Sequence, residues 1–355
     1  MKRKRRILIA PLDWGIGHAT RCIPIIQQLI KKGFEVLIAG EGRSLSVLQQ
    51  EFPNINTIYL KGYNVKYSSK DNMKMTIISQ IPKIIYNIKQ EHTKLKKIIE
   101  DYKIDGIISD NRFGLWNKKI PSVFITHQLE IQSNILQSKI QEINYKYINK
   151  FDKCWILDNK DHRLAGELAH PKNLPNNTMY IGPISRFKNQ KEELKYEILA
   201  LISGPEPQRN ILENILKKQF LEYNKPSIII LGKPELNFKE KINQVDIISH
   251  LESSKLNQVI LQSKIIICRS GYSSIMDLAK LNKKAIFIPT KGQTEQEYLA
   301  KYFQEKGICN YAKQSEFNLN KSLKENKSYS GFKNYSKNKI NWEDLFSLFK
   351  NKNYY

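Results

Sequence analysis

Two stretches of the sequence combine side chains and spacings that could do chemistry. One is Asp13-Trp14-Gly15-Ile16-Gly17-His18, a glycine turn that ends in a histidine. The other is Arg269-Ser270-Gly271-Tyr272-Ser273, which is followed further on by Thr294-Glu295-Gln296-Glu297. Histidine can accept a proton near neutral pH. A glycine turn before a helix presents backbone N–H groups and a positive dipole end to an anion.

The second stretch has the order strand, turn and helix. Lys264 to Ile267 is a β-branched run that predicts a buried strand ending at Cys268. Gly271 interrupts this strand, and Ser273 and Ser274 can cap the helix that follows. Asp277 lies about one helical turn further on, where its carboxylate could accept hydrogen bonds from ribose hydroxyls. Taken alone, this stretch is better explained as an ordinary βαβ unit.

Other polar groups follow neighbouring predicted strands in the same half of the chain. The strand from Lys284 to Pro289 leads into Thr294, Glu295, Gln296 and Glu297, a cluster suited to sugar hydroxyls. The strand from 197 to 202 is followed by Ser203 and Gly204, a second candidate phosphate loop before a helix. Phosphate, ribose and sugar would therefore meet adjacent parts of one site.

The first half repeats this organisation. The strands predicted at 5–11, 34–39, 104–109 and 122–126 alternate with helices, which predicts a parallel sheet. Parallel strands present their carboxyl ends at one edge, so His18, Asp110 and His127 should lie together there. Lys153 to Leu157 is predicted to be the last strand of this sheet. The Gly-x-Gly-His turn lacks the spacing of the dinucleotide fingerprint, so a dehydrogenase is poorly supported.

We therefore predict two α/β domains. Residues 1–183 form an N-terminal domain, residues 184–340 form a C-terminal domain, and residues 341–355 form a final helix that could dock on the first domain. The Asn-, Lys- and Ser-rich stretch 317–339 is predicted to be an extended surface segment. Residues 61–74 are predicted to form a long loop.

Composition narrows the class of protein. Lys and Arg number 58 against 34 Asp and Glu, a net charge of +24 that favours anionic partners. No zinc-finger spacing or RNA-binding aromatic signature occurs, so nucleic acid is not expected. The scattered cysteines predict a reducing, cytoplasmic setting. The apolar run from Ile7 to Leu12 is too short for a signal peptide, and no stretch has the length of a transmembrane helix.

A predicted helix carries Ile77, Ile78, Ile81, Ile84, Ile85 and Ile88 at helical spacing. Such a stripe is more often part of a core than a membrane contact. Together with the basic charge, it nevertheless makes peripheral attachment to an anionic inner membrane face a hypothesis.

The Arg-Ser-Gly turn and the Gln-rich turn together resemble the donor site of family 28 glycosyltransferases, the family of the peptidoglycan N-acetylglucosaminyltransferase. The resemblance is close over residues 263–307 and looser elsewhere. It implies the GT-B fold, two Rossmann-like, doubly wound domains facing a central cleft. The N-terminal domain would then be the acceptor side, and the C-terminal domain would bind the nucleotide-sugar. One departure is Asp277, where those enzymes typically carry glutamate.

The resemblance also implies roles for individual residues. Donor contacts would come from Gly17, Ser203, Gly204, Arg269, Ser270, Gly271, Tyr272, Ser273, Asp277, Thr294, Glu295, Gln296 and Glu297. The Asp110 segment resembles one in family 1 glucosyltransferases, where an aspartate pairs with a histidine of the first loop. His18 would then be the general base and Asp110 its orienting partner, with Arg21 and His127 on the acceptor side. His127 and Asp13 are competing candidates for the base.

The function predicted is transfer of a hexosyl unit from a UDP-sugar to a hydroxyl acceptor such as a glycan, lipid or small molecule. No Asp-x-Asp pair occurs in the sequence, so a helix N-terminus, with no metal and no further cofactor, should hold the diphosphate. The first alternative is a GT-B-type UDP-sugar epimerase, which needs no acceptor. The second is a non-catalytic basic module that binds nucleic acid or anionic lipid.

Overall fold

The computed structural model describes residues 3–63, 80–131, 137–161, 163–333, 335 and 340–350. The chain divides into two compact units between Ile184 and Ser185, and its C-terminal segment returns to the first unit. Each unit contains one seven-stranded sheet.

The first sheet has the strand order β3-β2-β1-β4-β5-β6-β7, and its neighbouring strands are parallel. Its strands are β1 (Arg6–Pro11), β2 (Glu35–Gly40), β3 (Thr57–Tyr59), β4 (Gly106–Asp110), β5 (Ser122–Thr126), β6 (Lys153–Ile156) and β7 (Thr178–Tyr180). Its helices are α1 (Ile16–Lys31), α2 (Gly42–Glu51), α3 (Ile81–Tyr102) and α4 (Gln137–Ile148). The prediction that β6 is the last strand was wrong, because β7 is a short additional edge strand.

The second sheet has the order β10-β11-β9-β8-β12-β13-β14, and only the β10–β11 pair is antiparallel among these described strands. Its strands are β8 (Tyr196–Leu201), β9 (Ser227–Ile230), β10 (Lys239–Ile242), β11 (Val245–Ile248), β12 (Ser263–Cys268), β13 (Lys284–Phe287) and β14 (Asn310–Tyr311). Its helices are α5 (Gln208–Tyr223), α6 (Ser253–Leu261), α7 (Tyr272–Lys280), α8 (Thr294–Glu305) and α9 (Leu319–Glu325).

Central strands of both sheets are buried and largely apolar because helices cover both faces of a parallel sheet. Every residue of β4, β5 and β9 is buried. The polar residues that follow such strands therefore emerge at the carboxyl edge, where side chains can meet a ligand.

The last helix, α10 (Trp342–Ser347), packs on the first unit. The Phe346 ring lies 6.0 Å from the Phe34 ring in an edge-to-face arrangement. Phe349 is fully buried, and a Cβ added to Gly106 of β4 would lie 2.4 Å from its ring. The chain end thus covers part of the first sheet.

The prediction of an extended surface segment over 317–339 was wrong for its described residues. Asn318 caps α9 by accepting a hydrogen bond from the Lys321 backbone N–H. Phe317, Leu319 and Phe332 are buried in the second unit. A few large apolar side chains outweigh the polar composition because burying each contributes roughly 1.5–3 kcal/mol.

In α3, Ile88 is buried whereas Ile81, Ile84 and Ile85 are only partly buried. Ile77 and Ile78 lie outside the described residues, as does most of the predicted loop at 61–74. Among the described helices, none is both long enough and apolar enough to cross a bilayer.

Candidate active site

At the carboxyl edge of the first sheet, polar residues converge from three directions. Helix α1 begins at Ile16, and Gly15 supplies its N-cap with a φ of 147°, a conformation that favours glycine. Gly17 and His18 therefore lie in the first turn of the helix rather than in the loop before it. Asp110 ends β4, and His127 follows β5, the neighbouring strand.

A buried guanidinium joins these groups. Arg21 is 3% exposed and donates from Nε to Asp110 Oδ2 at 2.5 Å, while its Nη2 donates to Asp110 Oδ1. Its Nη1 lies 2.9 Å from His127 Nδ1, and its Nη2 lies 2.7 Å from His18 Nδ1. His18 Nδ1 also lies 3.0 Å from Asp110 Oδ1. The structure thus brings His18, Arg21, Asp110 and His127 into one cluster.

The cluster shifts the ionisation of its members. Burial would raise the pKa of Asp110, but Arg21 and His18 outweigh it and hold that pKa well below its usual range. Burial and then the Arg21 charge lower the pKa of His18, against the opposing effect of Asp110. Asp110 is therefore a carboxylate and His18 is neutral near pH 7, the states that a base and its orienting group require.

Asp13, the other candidate for the base, is packed against the segment after β3. A Cβ added to Gly62 would lie 2.1 Å from Asp13 Cγ, and Asp13 Oδ1 accepts a long hydrogen bond of 3.4 Å from the Tyr63 N–H. This carboxylate therefore contacts backbone, whereas His18 belongs to the cluster. The geometry favours His18 over Asp13 as the base.

Arg269 is the corresponding buried guanidinium in the second unit. It is 1% exposed, and Nη1 donates to the carbonyl oxygens of Ile288 and Pro289 at 2.9 and 3.1 Å. Nη2 donates to Gln208 O at 3.0 Å and to Gln314 Oε1 at 2.7 Å. Arg269 thereby connects the carboxyl ends of β12 and β13 with the start of α5. The sequence predicted that this side chain contacts the nucleotide, but its Nη atoms are hydrogen-bonded to these protein oxygens.

The turn after Arg269 is open on its outer side. Gly271, rather than either serine, is the N-cap of α7, and no serine side chain caps this helix. A Cβ added to Gly271 would meet no atom within 4 Å. The helix therefore begins beside space in which a ligand could approach the backbone of Gly271, whereas the next residue, Tyr272, is buried.

Internal hydrogen bonds hold the polar turn after β13 in place. Ser270 Oγ donates to the Gln296 carbonyl oxygen at 2.6 Å, and Gln296 Oε1 accepts from the Thr290 N–H at 2.9 Å. Glu297 Oε1 accepts from the Gly292 N–H at 2.8 Å. Gln296 is buried and Glu297 is exposed, while Thr294 and Glu295 are partly exposed. Gln296 and Ser270 thus shape the turn, and the other three side chains remain accessible to a sugar.

Thr290 is a residue that the sequence reasoning missed. It is 1% exposed, and its hydroxyl has no hydrogen-bond partner among the described residues. Gly204 lies opposite with a φ of 115°, and a Cβ added there would be 3.6 Å from Thr290 Oγ1. The loop of Ser203 and Gly204 therefore lies beside the turn after β13. In the sequence, only the position of Thr290 after a strand could have indicated this residue.

Asp277 lies on α7 and accepts a hydrogen bond from Ser185 Oγ at 2.5 Å. Burial raises the pKa of its carboxyl to about 6, although Arg186 and the Ser185 hydrogen bond act in the opposite direction. A ribose hydroxyl at Asp277 would therefore compete with Ser185, a partner that the sequence did not suggest.

Comparisons with known proteins identify the family of the chain. The family described as Glycosyl transferase family 1 matches residues 5–325. A UDP-N-acetylglucosamine–N-acetylmuramyl-(pentapeptide) pyrophosphoryl-undecaprenol N-acetylglucosamine transferase of Buchnera aphidicola is 27% identical over 331 residues, covering 89% of this chain and 87% of its own length. An uncharacterised glycosyltransferase of Methanosarcina mazei is 23% identical over 336 residues, covering 85% and 84%.

Solved structures support the fold. The glycotransferase of kitacinnamycin has a TM-score of 0.63 at 13% identity, covering 98% of this chain and 96% of its own. Acinetobacter baumannii MurG has a TM-score of 0.58 at 11% identity, covering 99% and 100%. Both match nearly the whole chain, so the prediction of the GT-B fold is confirmed.

Proposed function

Because this chain belongs to glycosyl transferase family 1 and has the GT-B fold, we propose that it is a metal-independent, inverting enzyme that moves a hexosyl unit from a UDP-sugar to a hydroxyl acceptor. The observation that carries this proposal is the contact of His18 Nδ1 with Asp110 Oδ1 at the edge of the first sheet. With Nδ1–H donating to the carboxylate, Nε2 has a lone pair for the acceptor proton.

The reaction has a simple proton balance. The acceptor oxygen attacks the anomeric carbon, its proton passes to His18 Nε2, and the bond from the anomeric carbon to the diphosphate oxygen breaks. Asp110 stabilises the imidazolium that forms. Attack opposite the leaving group inverts the anomeric configuration, and UDP leaves with the bonding electrons.

The second unit would bind the donor. The diphosphate would lie at the N-terminus of α7, where the space beside Gly271 is open. The ribose would lie near Asp277, and the sugar near Thr294, Glu295 and Glu297. An N-acetylhexosaminyl donor is our preferred hypothesis because the name of the Buchnera relative specifies such a donor.

Replacing Gly271 tests the diphosphate site. We expect Gly271→Val to weaken binding of UDP by more than about tenfold, roughly 1.4 kcal/mol, because the side chain would occupy the space beside the helix start. Its melting temperature should stay near that of the wild type, since a Cβ at this position meets no atom within 4 Å. Isothermal titration calorimetry with UDP measures the affinity.

Lys280→Val, at the exposed far end of the same helix, is the control and should bind UDP normally. Unchanged affinity in folded Gly271→Val would place the nucleotide elsewhere.

Replacing His18 tests the base. We expect His18→Ala to lower turnover by about 10²–10⁴-fold, the usual contribution of a general base, while affinity for the UDP-sugar stays nearly intact. Asp110→Asn should lose less. In the wild type, turnover should fall at acidic pH with a midpoint below about 6.5, because burial and Arg21 lower the pKa of His18. Release of UDP from the UDP-sugar provides the assay, with water as acceptor if necessary.

His92→Ala is the matched control, since His92 stacks on Trp116 and its Nδ1 contacts the Gly114 carbonyl oxygen rather than a member of the Arg21 cluster. Near-normal turnover in His18→Ala would remove the proposed role of His18.

A lipid-linked or cell-envelope acceptor would require access to a membrane, and we propose peripheral attachment to its cytoplasmic face. The name of the Buchnera relative includes a pyrophosphoryl-undecaprenol acceptor. The net charge of +24 and the lysines of α3 support attraction to anionic lipid. Lys83, Lys94 and Lys97 are exposed, and their spacing places them on one side of the helix.

Reversing these charges tests the attachment. We expect the triple variant Lys83→Glu, Lys94→Glu, Lys97→Glu to bind anionic vesicles roughly a hundredfold more weakly, about 1 kcal/mol for each lysine removed. The control variant Lys218→Glu, Lys255→Glu, Lys301→Glu makes the same charge change at exposed positions of the second unit. Co-sedimentation at low salt measures the vesicle affinity of both variants. An equal loss of affinity in the two variants would mean that net charge alone, and not this face of α3, determines the attachment.

A further inference from the structure

The contacts of Arg21 determine what its histidine neighbours can do. A guanidinium is charged at all relevant pH values and only donates hydrogen bonds. Arg21 Nη1 lies 2.9 Å from His127 Nδ1, and His127 is 5% exposed. A ring nitrogen in this contact must offer its lone pair. His127 is therefore neutral, with its hydrogen on Nε2.

This arrangement prevents His127 from acting as the base. Its Nδ1 lone pair is engaged by Arg21, and its Nε2 already carries a hydrogen. The His127 ring has no site that accepts a proton while the Arg21 contact persists.

His18 has two competing neighbours at the same nitrogen. Asp110 Oδ1, at 3.0 Å, can only accept from Nδ1, whereas Arg21 Nη2, at 2.7 Å, can only donate to it. If Asp110 wins, Nε2 is a free base; if Arg21 wins, Nε2 carries the hydrogen and His18 is inactive. Arg21 also donates twice to Asp110, which holds the carboxylate at this position.

We propose that Arg21 is a positioning residue. It fixes His127 as a neutral ring with its hydrogen on Nε2, and it holds Asp110 against His18 Nδ1, so that of the two histidines only His18 can act as the base. This proposal rests on the proposed sugar transfer, because only that reaction requires a general base. Two spacings on α1 build it. His18 and Arg21 are three residues apart, and Cys22, whose Sγ lies 3.8 Å from Asp110 Oδ2, follows four residues after His18 on the same helix face.

The first test needs no activity. In the full chain labelled with ¹⁵N-histidine, long-range ¹H–¹⁵N NMR reports which nitrogen of each ring carries hydrogen. Spectra of His127→Gln and His18→Gln identify the signals. We expect unprotonated Nδ1 and protonated Nε2 at His127. A hydrogen on Nδ1 of His127 in the wild type would overturn the proposal.

The second test follows the charge. In Arg21→Gln the amide can still donate, but the positive charge beside His18 is gone. The groups facing His18 are then Asp110 and His127, and the loss of the cation should raise the pKa of His18. We therefore expect the acidic limb of kcat/KM to move to higher pH. We expect kcat to fall by about tenfold or more, because Asp110 loses the two hydrogen bonds that hold it against His18, with the KM for UDP-N-acetylglucosamine unchanged. A folded variant with an unshifted acidic limb would contradict the proposal.

Removing Arg21 leaves Asp110 buried without its partner, which can cost about 3–5 kcal/mol. If Arg21→Gln does not fold, Arg21→Gln with Asp110→Asn removes both charges, and NMR on this variant should show His127 released from its single tautomer. Retention of that tautomer without the guanidinium would also contradict the proposal. If the wild-type tautomer is as expected but no UDP-sugar is consumed, the sugar-transfer proposal fails and the role of Arg21 in fixing His127 stands.

Discussion

The buried ion pair of Arg21 with Asp110 holds the functional edge of the first unit together. Both side chains are almost completely buried, and each contacts His18. Burying two charges costs several kcal/mol per ion, so such a pair contributes little net stability, although breaking it is expensive. Its consequence here is geometric. It joins helix α1 to strand β4, and it places the guanidinium against Nδ1 of both His18 and His127.

Arg269 has a similar place in the second unit, with a different kind of partner. Its contacts in the described part of the chain are carbonyl and amide oxygens, and no carboxylate is among them. Burial lowers the pKa of this guanidinium to about 10, so it is still charged at neutral pH. An uncompensated positive charge beneath the Gly204 and Gly271 turns favours a diphosphate there. Arg269 would act on the donor through this field and through the loops that it connects.

Much of this arrangement could be predicted from the sequence. Apolar runs followed by polar residues predicted the central strands, and the geometry of parallel sheets predicted that His18, Asp110 and His127 meet at one edge. Edge strands were missed: β7 and β14 are very short, and β10 is largely charged and exposed. The buried contacts of Arg21 and Arg269 could not be predicted from the sequence pattern. A helix that starts one residue earlier or later turns each side chain by about 100°, and only the structure fixes that start at Ile16.

The central claim, inverting transfer from a UDP-sugar, can be tested without knowing the acceptor. The enzyme would be incubated with UDP-N-acetylglucosamine, and ¹H and ³¹P NMR would follow the anomeric proton and the diphosphate from the first minutes. With water as acceptor, we predict equal amounts of UDP and free sugar, and the first sugar formed should have the anomeric configuration opposite to that of the donor. A new UDP-sugar without release of UDP, or a sugar that retains the donor configuration, would contradict the account.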